Sequence, residues 1–381
     1  MYGATFSPEQ QSIVQMVREL MLEQVAPRAQ EIDEKAEFPI WVADLFQRYD
    51  LFGVAVPEEY GGIDGSLVTQ AAVLEQVARV CASSSMILGV QSLGAVPVAL
   101  FGDDAQKQRW LPALATGEKR IAFGLTEPNA GSDIRAMTTR AVPKDDGYVL
   151  NGRKSFISNA NMAHVVVCFA RVKGEEKDGG ITAFLVETDR EGFEVDKIEH
   201  KMGLRGSPTC SLVLEDVWVP AASVLGGVAM GMDVALGTLH KSRVASASQA
   251  LGVAQGALDL SAAYVKEREQ FGRTLSRLPG VQAIVGQMLT EVEAARSLVF
   301  SAAARYDEGA GEEGRFSSMA KLFASDTAMK VTTDAVQIMG GYGYMVEYGV
   351  ERFMRDAKVF QIFEGANQLH QMGAARAYLG A

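Results

Sequence analysis

Asp146-Gly147-Tyr148-Val149-Leu150-Asn151-Gly152 sets two tight-turn signals on either side of a short Tyr-Val-Leu run. Asx-Gly pairs suit the positive φ of hairpin turns, and the residues between them favour strands. Val165 to Ala170, Ile181 to Val186 and Ser211 to Val219 follow as β-branched or alternating runs of strand length. Gly174 to Gly180 is a charged, glycine-rich loop between two of them. The span from about Ile121 to Pro220 therefore reads as an antiparallel β domain of about 100 residues.

On either side the texture is helical. Ser7-Pro8-Glu9-Gln10 is a capping-box start with proline at the first helical position, and Ile13, Val17, Leu20 and Val25 recur at roughly helical spacing. Trp41 to Tyr49 and Val68 to Val80 read as further helices, with Pro57, Gly61-Gly62 and Asp64-Gly65 marking the loops. Beyond Gly231, the stretches Ala245 to Arg268, Val281 to Asp307 and Ser317 to Met339 are long, alanine-rich patterns suited to a helical bundle. The order is helical, then β, then helical, in a chain of 381 residues that is too long for one compact core.

Composition narrows the function classes. A formal net charge of −11 disfavours nucleic-acid or anionic-membrane binding, which needs clustered Lys and Arg. Cys81, Cys168 and Cys210 are far apart and read as buried free thiols. His164, His200, His240 and His370 lack metal-site spacing, so no metal is expected. The N-terminus lacks a basic-then-apolar leader pattern. The most apolar stretch, Met86 to Phe101, is interrupted by Gln91, Ser92 and Pro97, and reads as too short and broken to span a bilayer. No integral membrane segment and a cytoplasmic location are the expectations.

Five segments could carry chemistry. Glu364 stands between Phe363 and Gly365. Apolar surroundings raise a carboxyl pKa, and a following glycine admits a ligand to the backbone, which suits a general base for a weak carbon acid. Gly124-Leu125-Thr126-Glu127-Pro128-Asn129-Ala130-Gly131-Ser132-Asp133 offers hydroxyls and glycine amides to a polar ring edge or phosphate. Lys154-Ser155-Phe156-Ile157-Ser158-Asn159 places an aromatic and a hydroxyl on the same side of a strand. Arg268-Glu269-Gln270-Phe271-Gly272-Arg273 ends a long helix with an arginine able to fork onto phosphate. Gln337-Ile338-Met339-Gly340-Gly341-Tyr342-Gly343-Tyr344 looks like a helix end whose glycines let a cofactor approach. Taken singly, each also has an ordinary reading as a loop, strand face or helix end. A GxGxxG fingerprint is absent.

Together these segments resemble the acyl-CoA dehydrogenase family over nearly the whole chain. The signature stretches are Gly124 to Ala136, Gln337 through Glu347, and Arg352 to Asp356. Leu51 to Gly62 and Met202 to Ser207 are family-like too. The resemblance implies a mainly α fold with a β-barrel-like middle domain: a helical domain over 1–119, a β domain over 120–225 and a four-helix domain over 226–381. It implies FAD as cofactor and desaturation of an acyl-CoA thioester to the trans-2-enoyl-CoA. Glu364 would take the α-proton and FAD N5 the β-hydride, while a ribityl hydroxyl and the Glu364 N–H polarise the thioester carbonyl. Electrons would pass to an electron-transfer flavoprotein, from a homotetramer built as a dimer of dimers.

Residue by residue, the resemblance assigns Phe123, Leu125, Thr126, Gly131 and Ser132 to the flavin loop, and Phe156 and Ser158 to the second flavin strand. Arg268, Gln270 and Phe271, with Gln337 and Gly341, would reach FAD bound to a neighbouring subunit. Ala366 and Gln368 would touch the flavin, and Ser132, Arg243 and Gly365 the acyl-CoA. Ala366 replaces a frequent Thr, Pro279 a frequent Gln and His240 a frequent Asp. Some relatives carry the base on the helix of Arg243, but Ser242 stands there, which favours Glu364. Ser83-Ser84-Ser85 fills a region where dicarboxylyl-CoA relatives place an Arg, leaving short, medium or branched acyl chains open. The alternatives are an acyl-CoA oxidase on the same scaffold, marked by fast reaction of the reduced flavin with oxygen, and a colourless non-catalytic subunit.

Overall fold

The structure, a computed structural model, describes residues 6–63 and 66–380. The Asp64-Gly65 loop signal lies outside the described residues. Among the described residues six α-helices come first: α1 (Pro8–Leu20), α2 (Ala29–Lys35), α3 (Ile40–Arg48), α4 (Leu67–Val80), α5 (Ala82–Phe101) and α6 (Asp104–Ala115). The Ser7 capping box forms, with Ser7 Oγ accepting from Gln10 N and the Gln10 side chain accepting from Ser7 N. The periodicity running to Val25 does not continue as one α-helix. Met21–Val25 is a π-turn and Ala26–Arg28 a 3₁₀ turn, because Pro27 has no N–H for the ladder.

Eight strands follow among the described residues: β1 (Ile121–Gly124), β2 (Arg140–Lys144), β3 (Gly147–Ser158), β4 (Val165–Val172), β5 (Ile181–Glu187), β6 (Phe193–Ile198), β7 (Thr209–Pro220) and β8 (Val224–Leu225). They form one sheet in the order β6-β7-β3-β2-β4-β5-β8, with β1 alongside β4. The expectation of a wholly antiparallel sheet needs correction, since β1 and β2 both pair with β4 in parallel. On β4, Val165, Val167 and Phe169 face one buried cluster while Val166, Cys168 and Ala170 face another. A strand covered on both faces reads as a continuous apolar run, which is how Val165 to Ala170 looks in sequence.

The two turn signals have different fates. The β2–β3 hairpin turns through Asp145-Asp146, with Asp145 at φ 54, and Gly147 already pairs with Lys144. Asn151-Gly152 is no turn. It lies inside β3, where the register against β7 shifts between Leu150 and Gly152. A Cβ on Gly152 would fall 2.7 Å from Thr139 Cα, so the glycine serves a close approach at a bulge.

The C-terminal part holds α7 (Gly231–Glu267), a two-residue hairpin of β9 (Glu269–Gln270) and β10 (Arg273–Thr274), then α8 (Pro279–Asp307), α9 (Glu313–Met339), α10 (Val350–Phe360) and α11 (Asn367–Leu379). Helix α7 starts well before Ala245. Its early glycines lower helix propensity but serve packing, since a Cβ on Gly231 would lie 2.8 Å from Ile181 backbone. One large core joins α4, α7, α8, α9 and α10. Asp307, ending α8, accepts from Leu67 N at 2.8 Å and Val68 N at 2.9 Å, so its charge caps the N-terminus of α4.

Helix α5 is longer than the Met86 to Phe101 stretch suggests. Its 20 residues are apolar and long enough to cross a bilayer by length and composition, which corrects the reading of it as too short. Here it packs as a core helix, with Ser83, Ser84, Ser85, Gln91 and Ser92 buried alongside its apolar residues. The three cysteines are free and buried, and burial pushes the Cys168 thiol to about 11.

Two distant sequence stretches meet to seat α10. Arg355 donates to Met202 O at 3.0 Å and pairs with Asp33 at 2.7 Å. Asp356 accepts from Leu204 N at 2.6 Å, and Gly203 lies so close to Arg355 that a Cβ would meet its backbone at 2.5 Å. These ties fix the helix whose end carries Glu364.

Candidate active site

Between α10 and α11 the chain makes a turn that only two residues in unusual conformations can close. Glu364 lies at φ 57 and Gly365 at φ 96. The turn rests on α7, where Ser242 Oγ donates to Glu364 Oε2 at 2.8 Å and Arg243 Nε donates to Glu364 O at 3.4 Å. From α9, Lys321 Nζ donates to Gly365 O at 2.7 Å. His370 of α11 packs beneath, its Nε2 3.1 Å from where a Gly365 Cβ would stand. That nitrogen is buried and has no hydrogen-bond partner among the described residues. Burial pushes the Glu364 carboxyl above its usual range, against the Ser242 hydrogen bond and the Arg243 and Lys321 charges. Burial, with the same two cations, drives His370 down to about 4, so its imidazole is neutral near pH 7. The Glu364 N–H makes no hydrogen bond among the described residues and is free to donate.

The flavin-loop residues surround a second feature. Phe123 ends against Phe169 in an edge-to-face contact with centroids 5.1 Å apart. Thr126 O accepts from Ser155 N at 3.0 Å, which brings the loop of Leu125, Thr126, Gly131 and Ser132 beside β3. Beneath it, Glu127 and Lys154 form a buried ion pair of 2.8 Å, both side chains almost without exposure. Glu127 also accepts from Thr138 N and Thr139 N at 2.6 and 3.1 Å. Burial works against its charge, but Lys154 and these donors prevail and hold the carboxyl at about 2. Phe156 and Ser158 do not sit on a regular pleat as the two-residue spacing suggests. The β3–β7 register slips between Lys154 and Ile157, and Phe156 turns to φ 61 with 66% of its surface exposed.

The third set lies at the far end of α7. Arg268, Gln270 and Gly341 line one cleft of about 400 Å³ with Tyr264, Gly340 and Tyr342. The Arg268 guanidinium lies 5.3 Å from the Tyr342 ring centre. Phe271 stands at φ 53 with 86% exposure, and Gln337 is exposed two residues before the end of α9. Among the described residues, no hydrogen bond, ion pair or ring contact joins this set to the flavin loop of the same chain. Ala366 caps α11 without a side-chain hydrogen bond, and Gln368 is exposed beside it. Pro279 is the first residue of α8, and His240 packs on Gly314, 2.9 Å from where its Cβ would be. No group of three His, Cys, Asp or Glu is placed to hold a metal ion among the described residues.

Sequence reasoning gave no structural role to Lys321, Asn367, Lys154 or the Ser242 hydroxyl. One signal was available for Lys321. Ser317, Ala320, Lys321, Ala324, Ser325 and Ala328 are core-facing on α9, and a lysine among small residues on such a face demands a partner.

The chain matches three family models in succession: the acyl-CoA dehydrogenase N-terminal domain over residues 7–118, the middle domain over 122–217 and the C-terminal domain over 229–379. It is 45% identical over 374 residues to the cyclohex-1-ene-1-carbonyl-CoA dehydrogenase of Syntrophus aciditrophicus, covering 97% of this chain and 90% of that one. Its structure is similar to butyryl-CoA dehydrogenase from Megasphaera elsdenii, with a TM-score of 0.94 and 38% identity over 98% of this chain and 99% of that one. An acyl-CoA dehydrogenase from Bacillus anthracis, solved with FAD, superimposes with a TM-score of 0.93 at 32% identity, over 99% of this chain and 68% of that one. The three consecutive matches and the shared fold show that the chain belongs to the acyl-CoA dehydrogenase family of flavin-dependent oxidoreductases.

Proposed function

We propose that the protein removes one hydrogen each from the α and β carbons of a short-, medium- or branched-chain acyl-CoA, giving the trans-2-enoyl-CoA. Electrons then pass to an electron-transfer flavoprotein, and the working form is a homotetramer. The observation that carries the reading is the Glu364 turn. A carboxylate with a raised pKa stands beside its own unbonded backbone N–H, with Arg243 at hand. A base and an oxyanion donor on one residue suit abstraction of a proton next to a carbonyl.

The residues fit FAD. The exposed Phe156 beside the Thr126 loop offers a face for a flat ring, and Gly131 leaves open space around its backbone. The Arg268 cleft brings a guanidinium to exposed glycine backbone, which suits a pyrophosphate. FAD, when bound, supplies the acceptor for the β-hydride. Glu364 takes the α-proton on Oε1 or Oε2, Ser242 aims the carboxylate, and the Glu364 N–H steadies the thioester oxygen as the double bond forms. Arg243 offers a positive charge to the CoA portion.

The test is an anaerobic screen of butyryl-, hexanoyl-, octanoyl- and isobutyryl-CoA, following flavin absorbance. At least one should bleach the flavin, and electron-transfer flavoprotein should restore its colour. A colourless purified protein, or a flavin that no acyl-CoA reduces, would sink the reading.

A further inference from the structure

Lys321 is an ammonium with no exposed surface, held beneath the Glu364 turn. Its Nζ donates to Gly365 O at 2.7 Å and to Asn367 Oδ1 at 2.9 Å. Asn367 in turn donates to Ser325 Oγ at 2.9 Å and Asp326 Oδ1 at 2.8 Å, and Asp326 also accepts from Gln361 at 2.6 Å. Both ends of the segment that carries Glu364 are thus tied to one face of α9. No carboxylate lies within ion-pair distance of Lys321 among the described residues. A lysine desolvated without a direct counter-ion is costly, and a hydrophobic residue would fill the space more cheaply. The charges that face it are Glu364 in the turn, Arg243 from α7 and Asp326 from its own helix, with neutral His370 from α11.

We propose that Lys321 is a positioning residue for the base: it anchors the Gly365 carbonyl, so that Glu364 and its N–H are held in place, and its charge favours the ionised carboxylate. The inference rests on the acyl-CoA reading above. Burial, with Arg243 adding to it, lowers the lysine to about 8, while Glu364 and Asp326 oppose that change. The Lys321 charge correspondingly pulls the Glu364 carboxyl back toward its ionised form.

Lys321→Met removes donor and charge at similar length, whereas Lys321→Gln keeps a donor for Gly365 O without the charge. Both are compared with wild type in FAD content, thermal melting and anaerobic flavin reduction across pH, with butyryl-CoA or the fastest acyl-CoA of the screen as probe. Lys321→Met should keep FAD and slow reduction by about 10²-fold with little change in KM, as a displaced reacting group does. Its acid limb should move to higher pH, because loss of a cation disfavours the carboxylate. Lys321→Gln should recover part of the rate and keep the moved limb. A lysine that merely fills the core would leave that limb in place. A folded variant with wild-type rate and an unmoved limb overturns the proposal. If Lys321→Met does not fold, Lys321→Gln carries the test. If neither folds, the wild type decides: reduction must slow as Lys321 loses its proton near pH 8, and a flat alkaline profile overturns the proposal. A wild type that no acyl-CoA reduces overturns the reading of function, and this inference with it.

Discussion

At the scale of single residues, the proposed chemistry turns on how Glu364 can be half-buried, desolvated and still basic. The α-proton of a thioester is far less acidic than any side chain, so a base works only if the developing enolate is stabilised at the same moment. Glu364→Gln keeps shape and loses basicity. It should bind FAD and acyl-CoA, seen as a spectral shift of the oxidised flavin, while reduction falls by at least about 10²–10⁴-fold. Reduction at the parent rate would place the base elsewhere. The pH sign follows from burial. The base is useful only when ionised and its pKa is raised, so reduction should fade on the acid side at a pH above the ordinary carboxylate range. Taken alone, Glu364 is a weak signal, since a Glu before Gly more often ends a helix or sits in a loop; the family resemblance of the surrounding segments is what singles it out in the sequence. The sequence also excludes Ser242 as a base, but its hydroxyl's contact with a turn 122 positions away is set by tertiary packing and leaves no local mark.

Elements position these residues, and two of them can be tested. The flavin loop is held to β3 by the Glu127–Lys154 pair. Lys154→Met strands a buried carboxylate and should cost on the order of 3–5 kcal/mol, read as a lower melting temperature with loss of FAD. Acid gives a second reading. In the wild type the Glu127 pKa is depressed from 4.5 to about 2, so its contribution is present above the unfolded value and is lost as pH falls from about 4.5 toward 2. Without Lys154, protonation of Glu127 relieves the buried charge, so lowering pH should narrow the gap between variant and wild type. A constant gap would mean that the pair is not what matters. The other element is the hairpin after α7. Arg268→Ala should lower flavin content without unfolding the subunit, because among the described residues its side chain meets only the Tyr342 ring and the nearby Tyr264. Unchanged flavin content would count against its role. Helices and strand runs were legible here because burial periodicity writes itself into sequence. The role of Asn151-Gly152 was not, because the same dipeptide serves a turn or a bulge according to what lies across the sheet.

At the scale of the whole molecule, the proposed tetramer draws on exposed aromatic surface. Phe271 is 86% exposed and Tyr344 76%, close in sequence to the ends of the helices that carry Arg268 and Gln337. Exposed aromatic surface near a polar cleft marks a place where another body sits. A shared-site tetramer predicts that flavin binding and assembly rise together with protein concentration. Sedimentation velocity should show a tetramer at micromolar concentration, and FAD release on dilution to smaller species. A monomer that retains FAD would sink both ideas. The three-part order was legible from residue pattern alone. Whether and where copies of the chain would meet was not, since nothing in one chain's periodicity refers to a neighbour.

Phe156, Phe271 and Glu364 all lie in the left-handed region, at φ 61, 53 and 57. Residues with a side chain resist that conformation at about 1–3 kcal/mol each, and glycine does not. Selection for heat resistance alone would therefore press on these three positions early, trading them for glycine or asparagine. If these residues serve the flavin as proposed, such a lineage would grow tougher while its flavin stopped turning over, and a rising melting temperature would accompany the chemistry given up.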